Sequence, residues 1–118
     1  MISQTLDLTS QYNANNGVVV DTSGWQNITV LIDGSLSGSN NITGTSDAGA
    51  ITGTSDGNPL TATNFTAIQA TDLSSGAAVT SISVAGNFKI INPPKFVKIG
   101  GASAATDGKV IIYLTTPV

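Results

Sequence analysis

The sequence predicts an all-β protein, a single antiparallel β-sandwich of jelly-roll-like form with about eight strands. Apolar residues alternate with polar ones or come in short runs, and Gly, Asn, Asp or Pro interrupts them roughly every eight to twelve residues. No long stretch has the period of an amphipathic helix. The chain is 40% hydrophobic, with Val and Ile spread evenly, which is not the composition of a disordered protein.

The length of 118 residues is that of one ordinary domain, and no linker or change of composition divides it. We therefore assign residues 1–118 to one β-sandwich domain. Segments with the strand pattern lie, in chain order, at residues 4–9, 17–21, 25–33, 41–45, 50–55, 64–71, 79–84, 87–91, 96–99 and 109–115. They outnumber the strands of a jelly roll, so the shortest of them are expected to be loops.

The connections between these segments carry turn residues. Asp-Gly pairs at 33–34, 56–57 and 107–108 supply the positive φ angles of tight reversals. The stretch Ala-Gly-Asn at 85–87 predicts a compact hairpin between segments 79–84 and 87–91. Pro93 and Pro94 cannot donate backbone hydrogen bonds, so they are expected to close one strand before the next one begins.

The two faces of segment 25–33 and of the last segment follow from alternation along a strand. In the first of these, the core side is expected to hold Ile28, Val30 and Ile32, and the opposite side Trp25, Asn27, Thr29 and Leu31. In the last, KVIIYL, one side holds Val110, Ile112 and Leu114, and the other side holds Ile111 and Tyr113.

The last segment is therefore apolar on both faces. In an antiparallel domain such a strand must be covered twice, once by its own core and once by something else. That cover is either a loop of the same chain or a neighbouring subunit. We prefer the neighbour, because only 9% of the residues are charged and the surface is correspondingly poor in charge. The residues predicted at this interface are Trp25, Leu31, Ile111 and Tyr113.

The residue types present exclude several classes of site. Cysteine and histidine are absent, and the sequence contains no Arg and no Glu. There can be no disulfide, no thiolate or imidazole metal site, and no guanidinium clamp for phosphate. Catalysis would need Asp, Lys, Ser, Thr or Tyr alone, and the Asp residues are scattered, mostly at turns. We predict that the protein is not an enzyme, has no catalytic residues and uses no cofactor.

The charge balance argues against nucleic acid as a partner, because the net charge is −3 and only four Lys residues are present. Those residues, Lys89, Lys95, Lys98 and Lys109, either form a weakly positive strip or, as we prefer, lie on edge strands and discourage sheet-to-sheet pairing. No apolar run approaches the roughly 18 residues of a membrane-spanning helix. The first residues, MISQTLDLTS, lack the features of a secretory signal, so synthesis and retention in the cytoplasm are expected.

A direct repeat, ITGTSD, occurs at 42–47 and again at 51–56. One interpretation is a calcium site, since Asp47 and Asp56 are oxygen donors with hydroxyls beside them. Calcium takes six to eight oxygen ligands, usually from several carboxylates, and this repeat supplies few. We therefore predict two short strands, each ending in an Asp/Ser turn, and no metal site.

Trp25 is the single tryptophan and has two possible roles. A lone exposed Trp can stack on a sugar ring. A Trp at the start of a strand more often packs at the edge of a sandwich or within a subunit contact, and we prefer that interpretation.

The order of motifs along the chain is similar to that of a known group of proteins. It runs from the Trp-led strand WQNITVLIDG through ITGTSDG and NFTAIQATDLSSG to GNFKI, KFVKI and DGKVIIYL, roughly from Trp25 to Leu114. This order resembles small β-sandwich virion structural proteins of bacteriophages, which occur as capsid decoration, vertex, spike or fibre-base components. The resemblance implies a non-enzymatic protein that forms trimers or pentamers.

We therefore predict a structural protein of a bacteriophage virion, made in the host cytoplasm, whose partners are copies of itself and the major capsid protein. The alternative is a carbohydrate- or receptor-binding β-sandwich domain that uses Trp25 or a Tyr as a platform for a glycan.

Overall fold

The structure is a computed structural model, and it describes residues 3–15, 17–33, 40–46, 65–101 and 109–117. Within these ranges the chain forms eleven strands and one helix of seven residues. In chain order they are β1 (Ser3–Asp7), α1 (Thr9–Asn15), β2 (Gly17–Asp21), β3 (Trp25–Asp33), β4 (Asn40–Thr45), β5 (Thr66–Ala67), β6 (Ala70–Asp72), β7 (Ala78–Val79), β8 (Ser81–Ile82), β9 (Gly86–Ile91), β10 (Phe96–Gly101) and β11 (Lys109–Pro117).

The strands form two antiparallel sheets. The first sheet has the order β1-β11-β3-β9-β6-β7, and the second has the order β2-β10-β4-β5, with β8 also paired to β4. The earliest strand pairs with the last, β2 with β10, β3 with β9 and β4 with β5. A long two-stranded ribbon folded over on itself gives this order, which is that of a jelly roll. The prediction of an antiparallel, jelly-roll-like sandwich is confirmed, and the three strands beyond the predicted eight, β6, β7 and β8, have only two or three residues each.

The core lies between the inner faces of the two sheets. The first sheet contributes the predicted residues of β3 and β11, which are all at most 2% exposed: Ile28, Val30, Ile32, Val110, Ile112 and Leu114. The second sheet contributes apolar side chains from β2, β4, β8 and β10, among them Val18, Ile42, Ile82, Val97 and Ile99. Both faces of β3 and β11 were therefore assigned correctly from alternation alone.

The helix α1 was not expected, because no element was predicted between residues 9 and 17; the strand predicted at 4–9 is present as β1 and ends at Asp7. The helix lies between β1 and β2 in the chain, and each of these is an edge strand of its sheet among the described strands. The start of the helix is fixed by one local and one long-range hydrogen bond: the Thr9 amide donates to the Asp7 carboxylate over 3.1 Å, and the Val110 amide donates to the Thr9 hydroxyl over 3.2 Å. A helix this short has too few turns to leave a recognisable period in the sequence.

The connection at 85–87 is not a hairpin. Strand β8 pairs with β4 in the second sheet, whereas β9 pairs with β3 and β6 in the first, so the chain crosses between sheets at this point. The burial of Ile82 beside β4 holds β8 in the second sheet. The double proline does close a strand as predicted: β9 ends at Ile91, and β10 starts at Phe96 in the other sheet.

The predicted edge position of the lysines is also wrong. Lys89, Lys98 and Lys109 lie on β9, β10 and β11, and each of these strands pairs on both sides. Lys95 lies in the connection before β10 and places its Nζ 5.4 Å from the centre of the Phe96 ring. These ammonium groups therefore mark the outer faces of the sheets rather than their edges.

A buried polar contact ties the helix to the second sheet. The Tyr12 hydroxyl donates to Asn40 Oδ1 over 2.5 Å, and the Asn40 side-chain amide donates to the carbonyl of Ile82 over 3.3 Å. Tyr12 is 1% exposed and Asn40 2% exposed. Burial raises the pKa of Tyr12 above its ordinary value, and the hydrogen bond to Asn40 opposes this only in part.

Gly44 lies where the connection between β9 and β10 covers the end of β4. A Cβ added at Gly44 would overlap Pro94 Cγ and would lie 3.2 Å from Ile68 Cδ1. Pro94 is held in place because the buried Thr22 hydroxyl donates to its carbonyl over 2.6 Å. The position therefore requires glycine for space.

We expect Tyr12→Phe to lower the free energy of unfolding by about 1–2 kcal/mol at neutral pH, because it leaves Asn40 buried with an unsatisfied oxygen. The raised pKa means that the folded state keeps the Tyr12 proton to higher pH than the unfolded state. The stability from this proton is complete below the ordinary tyrosine value, roughly 10, and is lost as the pH rises through the folded value. Urea unfolding across alkaline pH should show this loss for the wild type and a smaller one for Tyr12→Phe.

The matched control for this measurement is Tyr113→Phe, whose ring is half-buried on the outside of the first sheet. It should change the stability little and keep the alkaline loss. An alkaline loss in Tyr12→Phe equal to that of the wild type would show that another group is responsible.

We expect Gly44→Ala to lower the free energy of unfolding by about 1–3 kcal/mol, because Pro94 or Ile68 must move to admit the new methyl group. The control is Gly86→Ala, where the nearest atoms to an added Cβ are those of the Phe88 ring at 3.4 and 3.5 Å, an ordinary contact. That control should stay within about 0.5 kcal/mol of the wild type in urea unfolding. Equal effects of the two substitutions would contradict the steric explanation.

Candidate interaction surface

The outside of the first sheet brings together most of the residues predicted at an interface. The adjacent strands β11 and β3 place Ile111 directly beside Leu31, and Tyr113 directly beside Thr29. Two rows cross the sheet here, with the members Asp7, Ile111, Leu31, Asn87 in one and Thr5, Tyr113, Thr29, Lys89 in the other. We refer to these eight residues as the outer face.

The centre of the outer face is apolar and incompletely covered by its own chain. Ile111, Leu31 and Tyr113 are each half-buried, whereas their strand neighbours on the inner side are fully buried. A second cover was predicted from the sequence for β11, and in the single chain the described residues supply it only in part. Three of the four predicted interface residues therefore lie together on one surface, and their contact with a partner stays a prediction.

Trp25 lies apart from the outer face. It is paired with Pro117 at the far end of β3, and the six residues that separate it from Leu31 correspond to about 20 Å along a strand. Its ring is half-buried and packs against the core cluster. This position agrees with the preferred packing role. The use of Trp25 as a platform for a glycan stays a prediction.

Two exposed apolar residues extend the outer face and were not singled out from the sequence. Ile91 is 62% exposed and pairs with Asn27 of β3, one row beyond Thr29. Leu73 is 52% exposed, and its amide donates to the Asn87 carbonyl over 3.0 Å, which places it next to the row of Leu31. The alternation in FKII, where Phe88 and Ile90 are buried, carried the signal for Ile91.

Charged groups surround the apolar centre. At one end Lys109 of β11 pairs across the strands with Asp33 of β3, and both are exposed. At one side lies Asp7, whose pKa is lowered by hydrogen bonds from the hydroxyl and the amide of Thr9, with a smaller contribution from Lys109. Lys89 lies toward the opposite side. The surface thus carries both signs of charge, and neither sign is collected in one place.

The outside of the second sheet has a different character. Its central row consists of Val19, Lys98 and Thr43, so an ammonium group lies where the first sheet has its apolar pair. Phe96 lies one row away and is half-buried, beside Asp21 and Thr45. Of the two outer surfaces, that of the first sheet is the better candidate for a contact with another protein.

Three of the acidic residues that the structure describes, Asp7, Asp21 and Asp72, accept hydrogen bonds from nearby backbone amides. Asp21 accepts the Ser23 amide over 2.9 Å, and Asp72 accepts the amide and hydroxyl of Ser74 over 2.9 and 2.8 Å. These bonds lower the pKa of Asp72 below its ordinary value. Among the described residues no three acidic side chains lie close enough together to hold a metal ion.

The repeat is only partly within the described residues. The first copy runs along β4, where Ile42 is buried and Thr45 ends the strand, as predicted. Asp47, the whole second copy at 51–56 and the strand predicted at 50–55 lie outside the described ranges. The choice between a calcium site and a pair of strand-ending turns is therefore untested. No helix in the part of the chain that is described is long and apolar enough to cross a membrane.

Comparisons with known proteins add one structural likeness. No protein-family model matches the chain. No curated protein matches it either. Among solved structures, the chain is similar to the crystal structure of the SPBc2 prophage-derived protein YomS, with a TM-score of 0.70 and 14% sequence identity. The match covers 98% of this chain and 96% of that one. At this identity the likeness shows a shared fold and nothing finer.

Proposed function

We propose that this chain is a non-enzymatic structural component of a bacteriophage virion. In this role it is a capsid-associated decoration, vertex or spike-base protein that binds copies of itself and the major capsid protein. The trimer or pentamer implied by the sequence resemblance is one form that such self-association could take.

The observation that carries the proposal is the half-buried apolar centre of the outer face. Ile111, Leu31 and Tyr113 lie side by side on strands whose inner side chains already fill the core. Covering this centre with another protein removes further apolar surface from water, at about 25 cal/mol for each Å². A binding role of this kind requires no catalytic residue, metal ion or cofactor.

The composition of the surrounding surface supports an assembly role. Hydroxyl and amide side chains such as Thr5, Thr29 and Asn87 surround the apolar centre. These groups can form hydrogen bonds across a contact without the desolvation cost that buried charges bring. Asp7, Asp21 and Asp72 accept hydrogen bonds from nearby backbone amides, which supports a role other than catalysis.

The structural likeness to a prophage-derived protein supports the proposal that this is a phage protein. The two chains match over nearly their full lengths, so the resemblance concerns the whole fold rather than a common sheet fragment. Independently, the order of motifs along the sequence resembles virion structural proteins of bacteriophages. Both observations favour a phage protein without indicating its position in the particle.

Self-association through the outer face should be lost in Ile111→Lys. The new ammonium group would have to be buried between two subunits without a partner, which costs several kcal/mol. Light scattering after size-exclusion chromatography should give an oligomer for the wild type and a monomer for the variant.

The matched control is Val19→Lys, which places the same charge at a half-buried position on the outside of the second sheet. It should keep the mass of the wild-type oligomer. Thermal unfolding of each variant shows whether it is folded. A folded Ile111→Lys variant with the wild-type mass would remove the outer face from the proposal.

The proposed location in the virion is tested on purified phage particles. Virions purified from the phage, or from the induced lysogen that encodes this chain, should contain it in a constant ratio to the major capsid protein. Mass spectrometry of gradient fractions measures that ratio, and a host protein of similar size is the control for carry-over. Detection of the chain only in the soluble lysate, and never in the particle fractions, would contradict the proposed function.

A further inference from the structure

The two central strands of the outer face present matched sequences of side chains. Along β11 the outward residues are Lys109, Ile111 and Tyr113, and along β3 they are Asp33, Leu31 and Thr29, in the same rows. A basic residue on one strand thus lies beside an acidic residue on the other, and an apolar residue beside an apolar one. These pairs lie within one chain, but the same residue types can also pair between two copies of the chain.

A second copy can dock face to face about a two-fold axis that runs parallel to the strands, midway between β11 and β3. Such an axis places β11 of each copy opposite β3 of the other without shifting the rows. Lys109 then meets the partner's Asp33, and Ile111 meets the partner's Leu31. Both contacts occur twice, because a two-fold contact uses the same surface on both copies.

We propose that the outer face binds a second copy of this chain in this arrangement, with the pairs Lys109–Asp33 and Ile111–Leu31 formed between subunits. The inference rests on the self-association in the proposed function and specifies its partner and geometry. It does not depend on the place of the protein in a particle.

The charged residues at the borders of the outer face are also compatible with this axis. Asp7 comes to lie opposite the partner's Asn87, and Lys89 opposite the partner's Thr5, so no like charges meet. A two-fold axis perpendicular to the strands, midway between the rows of Ile111 and Tyr113, instead sets Lys109 opposite the partner's Thr115 and leaves the charges unmatched. Packed sheets cross at about 30°. This twist displaces residues least near the centre of the contact, where Ile111 and Leu31 lie.

The size of the surface predicts a moderate affinity. From β1 to β9 the outer face spans three strand spacings, about 14 Å, and with Asn27 and Asp33 added at its ends the surface extends about 20 Å along β3. This footprint is smaller than the roughly 800 Å² that each partner buries in a standard stable interface. The dimer should therefore dissociate on dilution. A closed two-fold contact also predicts an even number of subunits, in contrast to the trimer or pentamer implied by the sequence resemblance.

The test is a mixing experiment with two charge reversals, Lys109→Asp and Asp33→Lys. Each variant alone brings like charges together across the axis, and we expect its dimerisation to be at least about tenfold weaker than that of the wild type. In an equimolar mixture each Asp faces a Lys of the other variant, so the mixture should regain a dimer with one subunit of each kind. Sedimentation equilibrium over a range of concentrations measures these affinities.

Mixing separates the contact between subunits from the pair within one chain. Each variant keeps its own like-charged neighbours in the mixture, so recovery of the dimer can only come from the contact between copies. The control is Lys98→Asp, which reverses a charge on the outside of the second sheet and should leave dimerisation unchanged. Unfolding curves establish that all variants are folded.

Folded variants that remain monomeric when mixed would overturn the proposal, as would single reversals that dimerise like the wild type. If Ile111→Lys dissociates an oligomer that both reversals leave intact, self-association through the outer face stands and this geometry is wrong. Absence of the chain from virions would overturn the proposed function and leave a positive mixing result in place.

Discussion

The structure depends on the position of β11 between β1 and β3. Without it the first sheet would divide into a lone strand and a separate β3-β9-β6-β7 ribbon, since β1 pairs only with β11 among the described strands. Its register buries Val110, Ile112 and Leu114 against the second sheet, and Val110 also anchors the start of the helix through its contacts with Leu8 and Thr9. A shift of one residue would exchange the two faces of the strand. The same register places Ile111 beside Leu31, so the core and the candidate surface are fixed by one set of hydrogen bonds.

The features that were predicted best from the sequence are those that follow from the two-residue period of a β-strand. Alternation was enough to assign both faces of β3 and β11, and the short spacing of the strands was enough to indicate a sandwich. The pairing of strands that are distant in sequence has no local sequence signal, and the wrong predictions concern such pairing. The turn at 85–87 has hairpin residues, yet β8 and β9 belong to different sheets because Ile82 is buried beside β4. The lysines were predicted on edges, whereas their strands are paired on both sides.

The sequence predicted which residues form the candidate surface better than it predicted which of them are neighbours. The doubly apolar last strand indicated that Ile111 and Tyr113 need a second cover; both side chains are half-buried in the single chain, and their contact with a partner stays a prediction. That Leu31 is the direct neighbour of Ile111 required the register of β3 against β11, which the sequence does not contain. Trp25 shares the alternation of Leu31 but lies at the other end of a nine-residue strand and packs on the core. The matching of Lys109 with Asp33 became visible only once the two strands were aligned.

The order in which the strands are synthesised gives β11 a further consequence. It leaves the ribosome after all the other described strands, although it occupies the interior of the first sheet. Until then β1 has no strand beside it, and the apolar inner side of β3 lacks one neighbour. Contacts so distant in sequence form slowly, and an unpaired strand is open to association with the wrong partner. The nascent chain should therefore depend on chaperones that shield β3 until β11 has left the ribosome.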